Sequence, residues 1–541
     1  MFKKILAVFT AALMIALCIP FNLSAASTSS STPFGSKGVN PVPLLVLVVS
    51  YDADKNGKDA YAEGLSTTNS SLPSYGEQWA HSEESYWSNS LFGDSGNTMK
   101  NYFKLMSNDK FWFTPVEETY GTANNGVVYV TLNEKHPGNV NGSNPTTIGN
   151  TRISALNAAN EYIDFSKYDT DGNGGLSWQE LSVVYIIAGC STKFGMASDG
   201  KSIWRMGSFK QNGTSWHTTL DGVRVMNGSD GAKYAVVGEM QYSNRPLTFG
   251  SIAHELAHII GANDLYTYGG YTWCGGPGDI ALQGGGSGLG ISKYVTAGTA
   301  PSAIDPYYLT WFGFQQATEV RDGTYTLYSR DSKIGDYNIL KICTNNPKEY
   351  YLIENRYTVD AGSFDAIPFA ARGIQIWHVD EGIMKSYTLP NCWKGTIHAP
   401  GLTPLYPNGN TGGNAYDAWK DVSGKNIFSC RSFKFAGSGT WYTAMTEKEA
   451  ANYNFTIEIL SAAGNEMQIR VSGFNPPTIG NLNKDKTIDT SDLTLLRKYI
   501  AGYNPQMNVQ YADINGDGKI DTIDLTLLRK YIAGYPIKLG K

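Results

Sequence analysis

The sequence predicts an α/β core, then a β-rich region, then a small and separate helical module. Three observations carry this expectation. Apolar strand-like runs alternate with helical segments as far as about residue 320. Strand-like runs dominate from Gly323 to residue 473, and the segment 480–541 repeats one loop-and-helix unit twice.

Taken in order, Met1 to Ala26 opens with Lys3 and Lys4, continues with an apolar run from Ile5 to Ile19 and closes on Ser24-Ala25-Ala26. Charged, then apolar, then small is the order of a secretory signal peptide. The run is too short to span a bilayer comfortably and no later stretch is longer, so the mature chain is expected to be exported, with no membrane span. Leu44 to Ser50 is a continuous apolar run bounded by Pro43 and Asp52, which reads as a buried strand, as do Val127–Leu132 and Val183–Ala188. Thr98–Leu105 and Ile153–Ile163 read as helices, and a further helix runs from about Gly250 to Ile260. Beyond Gly323, the runs Thr324–Leu327, Tyr350–Ile353, Ile374–Trp377, Phe455–Ile459 and Glu466–Val471 read as strands. Two prolines stiffen the spacer from Phe474 to Gly480. The expected divisions are a signal peptide over 1–26, a short N-terminal segment over 27–40, a core over 41–320, a β-rich part over 321–473, a linker over 474–479 and the helical module over 480–541.

Lys and Arg number 43 against 48 Asp and Glu, a net charge of −5, which argues against nucleic acid as a partner. Cys18 leaves with the signal peptide. Cys190, Cys274, Cys343, Cys392 and Cys430 are scattered without a Cys-x-x-Cys pair, so a cysteine metal cluster is not expected and the disulfide pattern stays open.

The helix near 250–260 carries His254-Glu-Leu-Ala-His258, followed by Gly261 and Asp264. Residues four apart share a helix face, so His254 and His258 can bind one metal ion. Glu255 flanks them and can reach a metal-bound water without taking a coordination position. Gly261 can adopt the left-handed conformation that ends a helix, turning the chain so that Asp264 reaches the metal. Three protein ligands and one water make a catalytic zinc site, whereas a structural site fills all four positions. The residues therefore point to a zinc peptidase acting on protein substrates, with Glu255 as general base. A tyrosine between Tyr266 and Tyr271 could stabilise the oxyanion, and the sequence singles out none.

Asp169-Thr-Asp-Gly-Asn-Gly-Gly-Leu-Ser-Trp-Gln-Glu180 matches the twelve-residue calcium loop of an EF-hand. Ligands would come from Asp169, Asp171, Asn173, the Gly175 carbonyl, Ser177 and Glu180, and the ion would be structural. The duplicated C-terminal unit supplies two more such loops, for about three calcium ions in all. The first would use Asn481, Asn483, Asp485, the Thr487 carbonyl, Asp489 and Asp492; the second Asp513, Asn515, Asp517, the Lys519 carbonyl, Asp521 and Asp524. Lys486 sits in the first loop where Gly518 sits in the second, and must tolerate positive φ there.

These paired loops, each followed by Leu-Thr-Leu-Leu-Arg-Lys-Tyr-Ile-Ala-Gly-Tyr, resemble a type I dockerin. The resemblance implies a cohesin of a cellulosome scaffold as partner. It also implies that Thr490 and Ser491, with Thr522 and Ile523, help choose the cohesin, and that the near-identical halves could dock in either orientation. Residues 40–473 resemble the M6 metallopeptidases of the immune inhibitor A group, through Leu91-Phe-Gly93, Asn101-Tyr-Phe103, Tyr168–Gly174, Ser202-Ile-Trp204, His254–Tyr266, Tyr350–Arg356 and Ile376–Glu381. That resemblance implies a metzincin-like α/β (α+β) core, one zinc held by His254, His258 and Asp264, and Glu255 as base. Peptidases of this kind usually place a methionine in a turn beneath the metal. Here Gly278 to Ser287 has none, and Leu282 or Gln283 occupies the place. The short 27–40 segment also leaves little room for a propeptide. His378 and Glu354 read as structural polar groups outside the site. Two rivals remain: a catalytically inactive peptidase fold kept as a binding subunit, and a carbohydrate-active enzyme, for which no catalytic carboxylate pair stands out.

Overall fold

The computed structural model describes residues 33–34, 38–57, 81–136, 145–190, 207–210, 217–242, 245–266, 276–290, 297–344, 348–358, 364–386, 401–407, 416–429, 455–473, 479–483 and 487–540. The expected signal peptide, most of the 27–40 segment and linker residues 474–478 lie outside them, as do Asp485, Lys486, Cys274, Cys392, Cys430, Tyr268 and Tyr271. No helix among the described residues is long and apolar enough to cross a membrane.

The first region is built on β1 (Val42–Tyr51), β2 (Phe113–Pro115), β3 (Val127–Leu132), β4 (Ser182–Cys190), β5 (Gly207–Lys210), β8 (Lys233–Tyr242) and β9 (Arg245–Pro246), with a separate ribbon of β6 (Thr218–Leu220) and β7 (Val223–Val225). The sheet runs β2-β1-β4-β8-β5. Strands β1, β4 and β8 are parallel neighbours, while β5 and β9 lie antiparallel to β8. A parallel strand covered on both faces reads as continuous apolar sequence, and β1 does so: Leu44, Val46 and Val48 enter the core on one face, Leu45, Leu47, Val49 and Tyr51 that on the other.

Helices fill both faces. On the first lie α1 (Glu84–Phe92), α2 (Met99–Ser107) and α4 (Phe249–Ile260), the helix that carries the histidines; on the second lies α3 (Pro145–Ala159). The helix expected over Ile153–Ile163 is shifted toward its N-terminus. It ends at Ala159, whose carbonyl accepts from the Tyr162 amide in a turn at 2.9 Å. Ile163 and Phe165 then pack against the second face as non-helical anchors; side-chain burial outweighs a helical period that runs past the turn.

Beyond residue 300, α5 (Pro306–Trp311) leads into a five-stranded sheet in the order β10 (Ala317–Glu319), β12 (Ile339–Cys343), β13 (Glu349–Asn355), β14 (Ile374–Asp380) and β15 (Leu402–Leu405), with α6 (Glu381–Ser386) following β14. A four-stranded antiparallel sheet orders β11 (Gly323–Tyr328), β18 (Glu466–Ser472), β17 (Thr456–Ile459) and β16 (Ile427–Ser429). The β-rich sequence thus packs as two sheets around Ile353, Ile376, Ile457 and Ile469. Its other face is not independent: Leu352, Trp377, Val379 and Leu402 share a core with α4, so the change in strand content near residue 320 is not a break in the core. Glu354 is fully buried in a polar network, accepting from Trp377 Nε1 at 3.0 Å and Tyr337 Oη at 2.6 Å, with Arg356 beside it. His378 faces Glu349 at 3.4 Å. Both are tied into strand pairing. Cys343, among the described residues, is a free thiol that burial pushes up to about 12.

The C-terminal module has α7 (Thr490–Ile500) and α8 (Thr522–Ile532) around a small core of Leu482, Leu496, Ile514 and Leu528. Each helix begins with a capping box, Asp489 with Asp492 and Asp521 with Asp524.

Candidate metal centre

Helix α4 buries Ile252, Ala253, Leu256, Ala257 and Ile260 against the sheet. That leaves His254, Glu255 and His258 on the remaining face. Gly250 lets the helix enter close to its neighbours: its amide donates to the Gly298 carbonyl at 2.9 Å, and a Cβ there would meet the Ser287 carbonyl oxygen at 2.3 Å. The helix ends at Gly261, with φ 115° and its amide bonded back to Ala257 and His258. Lys233 Nζ donates to the Ile259 carbonyl at 2.6 Å, satisfying one of the last acceptors.

The turn after Gly261 brings Asp264 back over the histidines. His254 Nδ1 lies 2.8 Å from the Leu282 carbonyl and His258 Nδ1 lies 2.7 Å from the Ala262 carbonyl. A carbonyl can only accept, so both Nδ1 atoms carry a proton, and the Nε2 atoms are the positions that face Asp264 and would offer lone pairs to a bound metal. Those two Nε2 atoms are 3.2 Å apart, and Asp264 Oδ1 lies 3.0 Å from the first and 3.2 Å from the second. Ligand atoms of a tetrahedral ion bound at about 2.0–2.1 Å stand about 3.3 Å apart, so this triangle is close to one face of such a tetrahedron. Three potential ligand atoms this close need positive charge between them, a proton or a metal cation.

The electrostatics agree. Burial works against a charge on His258, but the Asp264 carboxylate hydrogen-bonded to it, with Glu255 nearby, pushes it up to about 9. Burial also opposes the Asp264 charge, yet hydrogen bonds and charge from both imidazoles hold its carboxyl well below the usual carboxylate range. The pocket attracts positive charge. Glu255, 6 % exposed, stands beside the triad, close enough for its charge to act on His258.

The stretch from Gly278 to Ser287 touches the two histidines. Leu282 does so through its carbonyl on His254, and Gln283, 1 % exposed, places its amide nitrogen 3.1 Å from His258 Nδ1 and 3.3 Å from Nε2. Distances so nearly equal to both ring nitrogens set the amide against the imidazole rather than in line with its metal-facing lone pair. Tyr266 is the one member of the 266–271 tyrosine group that is described, 37 % exposed, its ring 6.3 Å from that of His254. Sequence reasoning missed Tyr308, whose hydroxyl accepts from the Asn263 amide at 2.8 Å. It also missed Trp311, whose ring closes on Gly261.

Asp169, Asp171 and Glu180 form a second cluster that could hold an ion. Asn173 and Gly174 amides donate to the Asp169 carboxylate at 3.1 and 2.9 Å, the Gly175 amide donates to Asn173 Oδ1 at 2.8 Å, and Glu180 accepts from Ser177 Oγ at 2.7 Å. Gly172 and Gly174 take φ of 69° and 75°, which supplies the sharp turn. Leu176 pairs with Arg224 at 2.9 Å, so the loop is tied to β7 as well as to β4. The turn from Asp52 to Gly57 repeats part of this pattern: Asn56 N donates to Asp52 Oδ1 at 3.2 Å and Asp54 Oδ1 at 3.1 Å. The spacing of Asp52, Asp54, Asn56 and Gly57 equals that of Asp169, Asp171, Asn173 and Gly174, a signal the sequence reading passed over.

In the C-terminal module the two loops are near copies. Asp492 Oδ1 accepts from the Leu482 and Asn483 amides at 2.6 and 3.0 Å; Asp524 Oδ1 accepts from Ile514 and Asn515 at 2.7 and 3.2 Å. Asp513 gathers the Asp517 and Gly518 amides, Asn515 Oδ1 accepts from the Asp517 amide, and the Asp517 carboxylate accepts from the Lys519 amide. Thr490, Ser491, Thr522 and Ile523 are exposed on the first turns of α7 and α8.

The comparisons with known proteins fall on the calcium loops. A dockerin type I domain model matches residues 479–533, and an EF-hand model matches residues 163–185. Among solved structures, a type I cohesin–dockerin complex from Clostridium thermocellum contains a chain that is 35% identical over the match, with a TM-score of 0.10. The match covers 10% of this chain and 90% of that one. No curated protein matches the chain. His254, His258 and Asp264 lie outside both family matches. At its C-terminus, over residues 479–533, the chain carries a dockerin type I domain.

Proposed function

We propose that this chain is a secreted zinc endopeptidase, similar to the M6 metallopeptidases, carried on a cellulosome scaffold by its dockerin. The dockerin type I domain at residues 479–533 supports a cohesin as partner. The peptidase reading rests on one observation above all: the Nε2 atoms of His254 and His258 and Asp264 Oδ1 converge within 3.0–3.2 Å of one another, beside Glu255 on the histidine-bearing helix.

In this reading His254, His258 and Asp264 would hold zinc, and the Nδ1 bonds of the two histidines to the Leu282 and Ala262 carbonyls fix ring orientation. Zinc, when bound, supplies Lewis-acid polarisation of the scissile carbonyl and lowers the pKa of its water toward about 7. Glu255 would accept a proton from the attacking water and return it to the departing amine as the C–N bond breaks. Gln283 fills the place of the usual turn methionine, with its amide against His258. The EF-hand loop fixes the approach to β4, and calcium in the paired C-terminal loops organises the cohesin-facing turns at Thr490, Ser491, Thr522 and Ile523.

The test is hydrolysis of casein, against cellulose and xylan, by the full chain with zinc and calcium. Casein hydrolysis abolished by Glu255→Gln supports the peptidase. Hydrolysis of a polysaccharide alone would favour the carbohydrate-active reading, and zinc uptake without any hydrolysis would favour an inactive binding subunit.

A further inference from the structure

We infer that Tyr308 is a positioning residue for the metal centre, holding two ligands in place through a single peptide group; this rests on the metal-binding reading above. The Ala262–Asn263 peptide lies in sequence between His258 and Asp264. Its carbonyl accepts from His258 Nδ1 at 2.7 Å, and its N–H donates to Tyr308 Oη at 2.8 Å. A peptide group is planar, so anchors at both ends fix its rotation. That rotation sets where the carbonyl meets the imidazole and the direction in which the chain leaves for Asp264. A hydrogen bond at the N–H also polarises the amide and makes its oxygen a better acceptor, which tightens its hold on Nδ1–H.

The anchor itself is rigid. Tyr308 is 2 % exposed, its ring stacks on Phe312 at 5.6 Å, and burial holds its phenol well above the ordinary range, so it stays protonated. Asp305 caps the start of α5 by accepting from the Tyr308 amide at 3.0 Å. Trp311, on the same helix, closes on Gly261: a Cβ there would lie 2.8 Å from its Cη2. Helix α5 therefore touches the turn twice, with a ring at Gly261 and a hydroxyl at Asn263.

Packing needs only the ring of Tyr308; positioning needs its oxygen. Tyr308→Phe in the full chain removes the oxygen and keeps the ring. Zinc affinity is measured by chelator competition, coordination geometry by the absorption of cobalt(II) in place of zinc, and folding by calorimetry. The expected result is a loss of zinc affinity of about 10–100-fold with an altered cobalt spectrum. Wild-type affinity and a superimposable cobalt spectrum in the variant would overturn the inference while leaving the metal site standing. If the wild-type chain takes up no metal, the metal reading fails and this inference with it. Should the variant not fold, hydrogen exchange of the Asn263 amide in the wild-type chain decides: slow exchange supports the bond, and exchange at the rate of an exposed peptide refutes it.

Discussion

Replacing Gly261 by alanine tests the link between the helix terminus and the third ligand. Two costs can be worked from the structure. Gly261 has φ 115°, a conformation L-residues avoid, and holding a non-glycine there costs about 1–3 kcal/mol. An added Cβ would sit 2.8 and 3.0 Å from two carbons of the Trp311 ring, well inside the optimal carbon separation of about 3.5–4.0 Å. Overpacking of that kind costs about 1–3 kcal/mol. If the turn stays rigid, the sum is about 2–6 kcal/mol of stability, and the unit carrying α4 should melt at least about 2 °C lower. If the turn relaxes instead, Asp264 moves with it, stability is partly spared and zinc affinity falls. Calorimetry of the metal-free chain with zinc competition on the same sample reads both channels. A variant that melts within about 1 °C of wild type and binds zinc equally well would refute the reasoning.

Two further outcomes follow from the same geometry. Glu180→Gln removes the two-oxygen ligand that closes the calcium loop. Calcium should then no longer raise the melting temperature of the α/β region, and an undiminished calcium response of that transition would remove Glu180 from the ligand set. Asp305 is fully buried, and burial pushes its carboxyl from 3.8 up to about 7. The folded state therefore holds a proton that the unfolded chain has released, so this residue's contribution to stability is full below about pH 4 and is lost as pH rises toward about 7. The loss is roughly 4 kcal/mol at most. Asp305→Asn keeps an acceptor for the Tyr308 amide and should flatten this difference between pH 4 and 7 in denaturation profiles compared with wild type; an unchanged profile would mean that Asp305 does not titrate there.

The parts of this molecule that were legible in sequence are those whose physics is local. The i, i+4 histidines share a helix face by geometry alone, and Gly261 announces a left-handed terminus, so His254, His258 and Asp264 could be named together. The calcium loops were legible because each ligand lies within twelve residues of the first. Strand β1 was clear because burial on both faces leaves no polar alternation to confuse it. What escaped the sequence acts through backbone or over distance. The Leu282 and Ala262 carbonyls orient the imidazoles whatever side chains those residues carry. Tyr308 meets Asn263 only through tertiary packing. The end of α3 was misplaced because Ile163 and Phe165 continue an apolar pattern that the chain uses outside the helix. The Asp52 turn follows the same rule as the Asp169 loop over its first six positions only, which is too short to signal a complete calcium loop.

The central claim is that the α4 triad holds zinc and that Glu255 turns it into a peptidase. The most direct measurement is zinc content together with casein hydrolysis for the wild-type chain and Glu255→Gln, in calcium buffer. The account predicts about one zinc per chain in both proteins and hydrolysis by the wild type alone. Wild-type chain that folds without taking up zinc, or a Glu255→Gln variant that cleaves casein as fast as wild type, would contradict it.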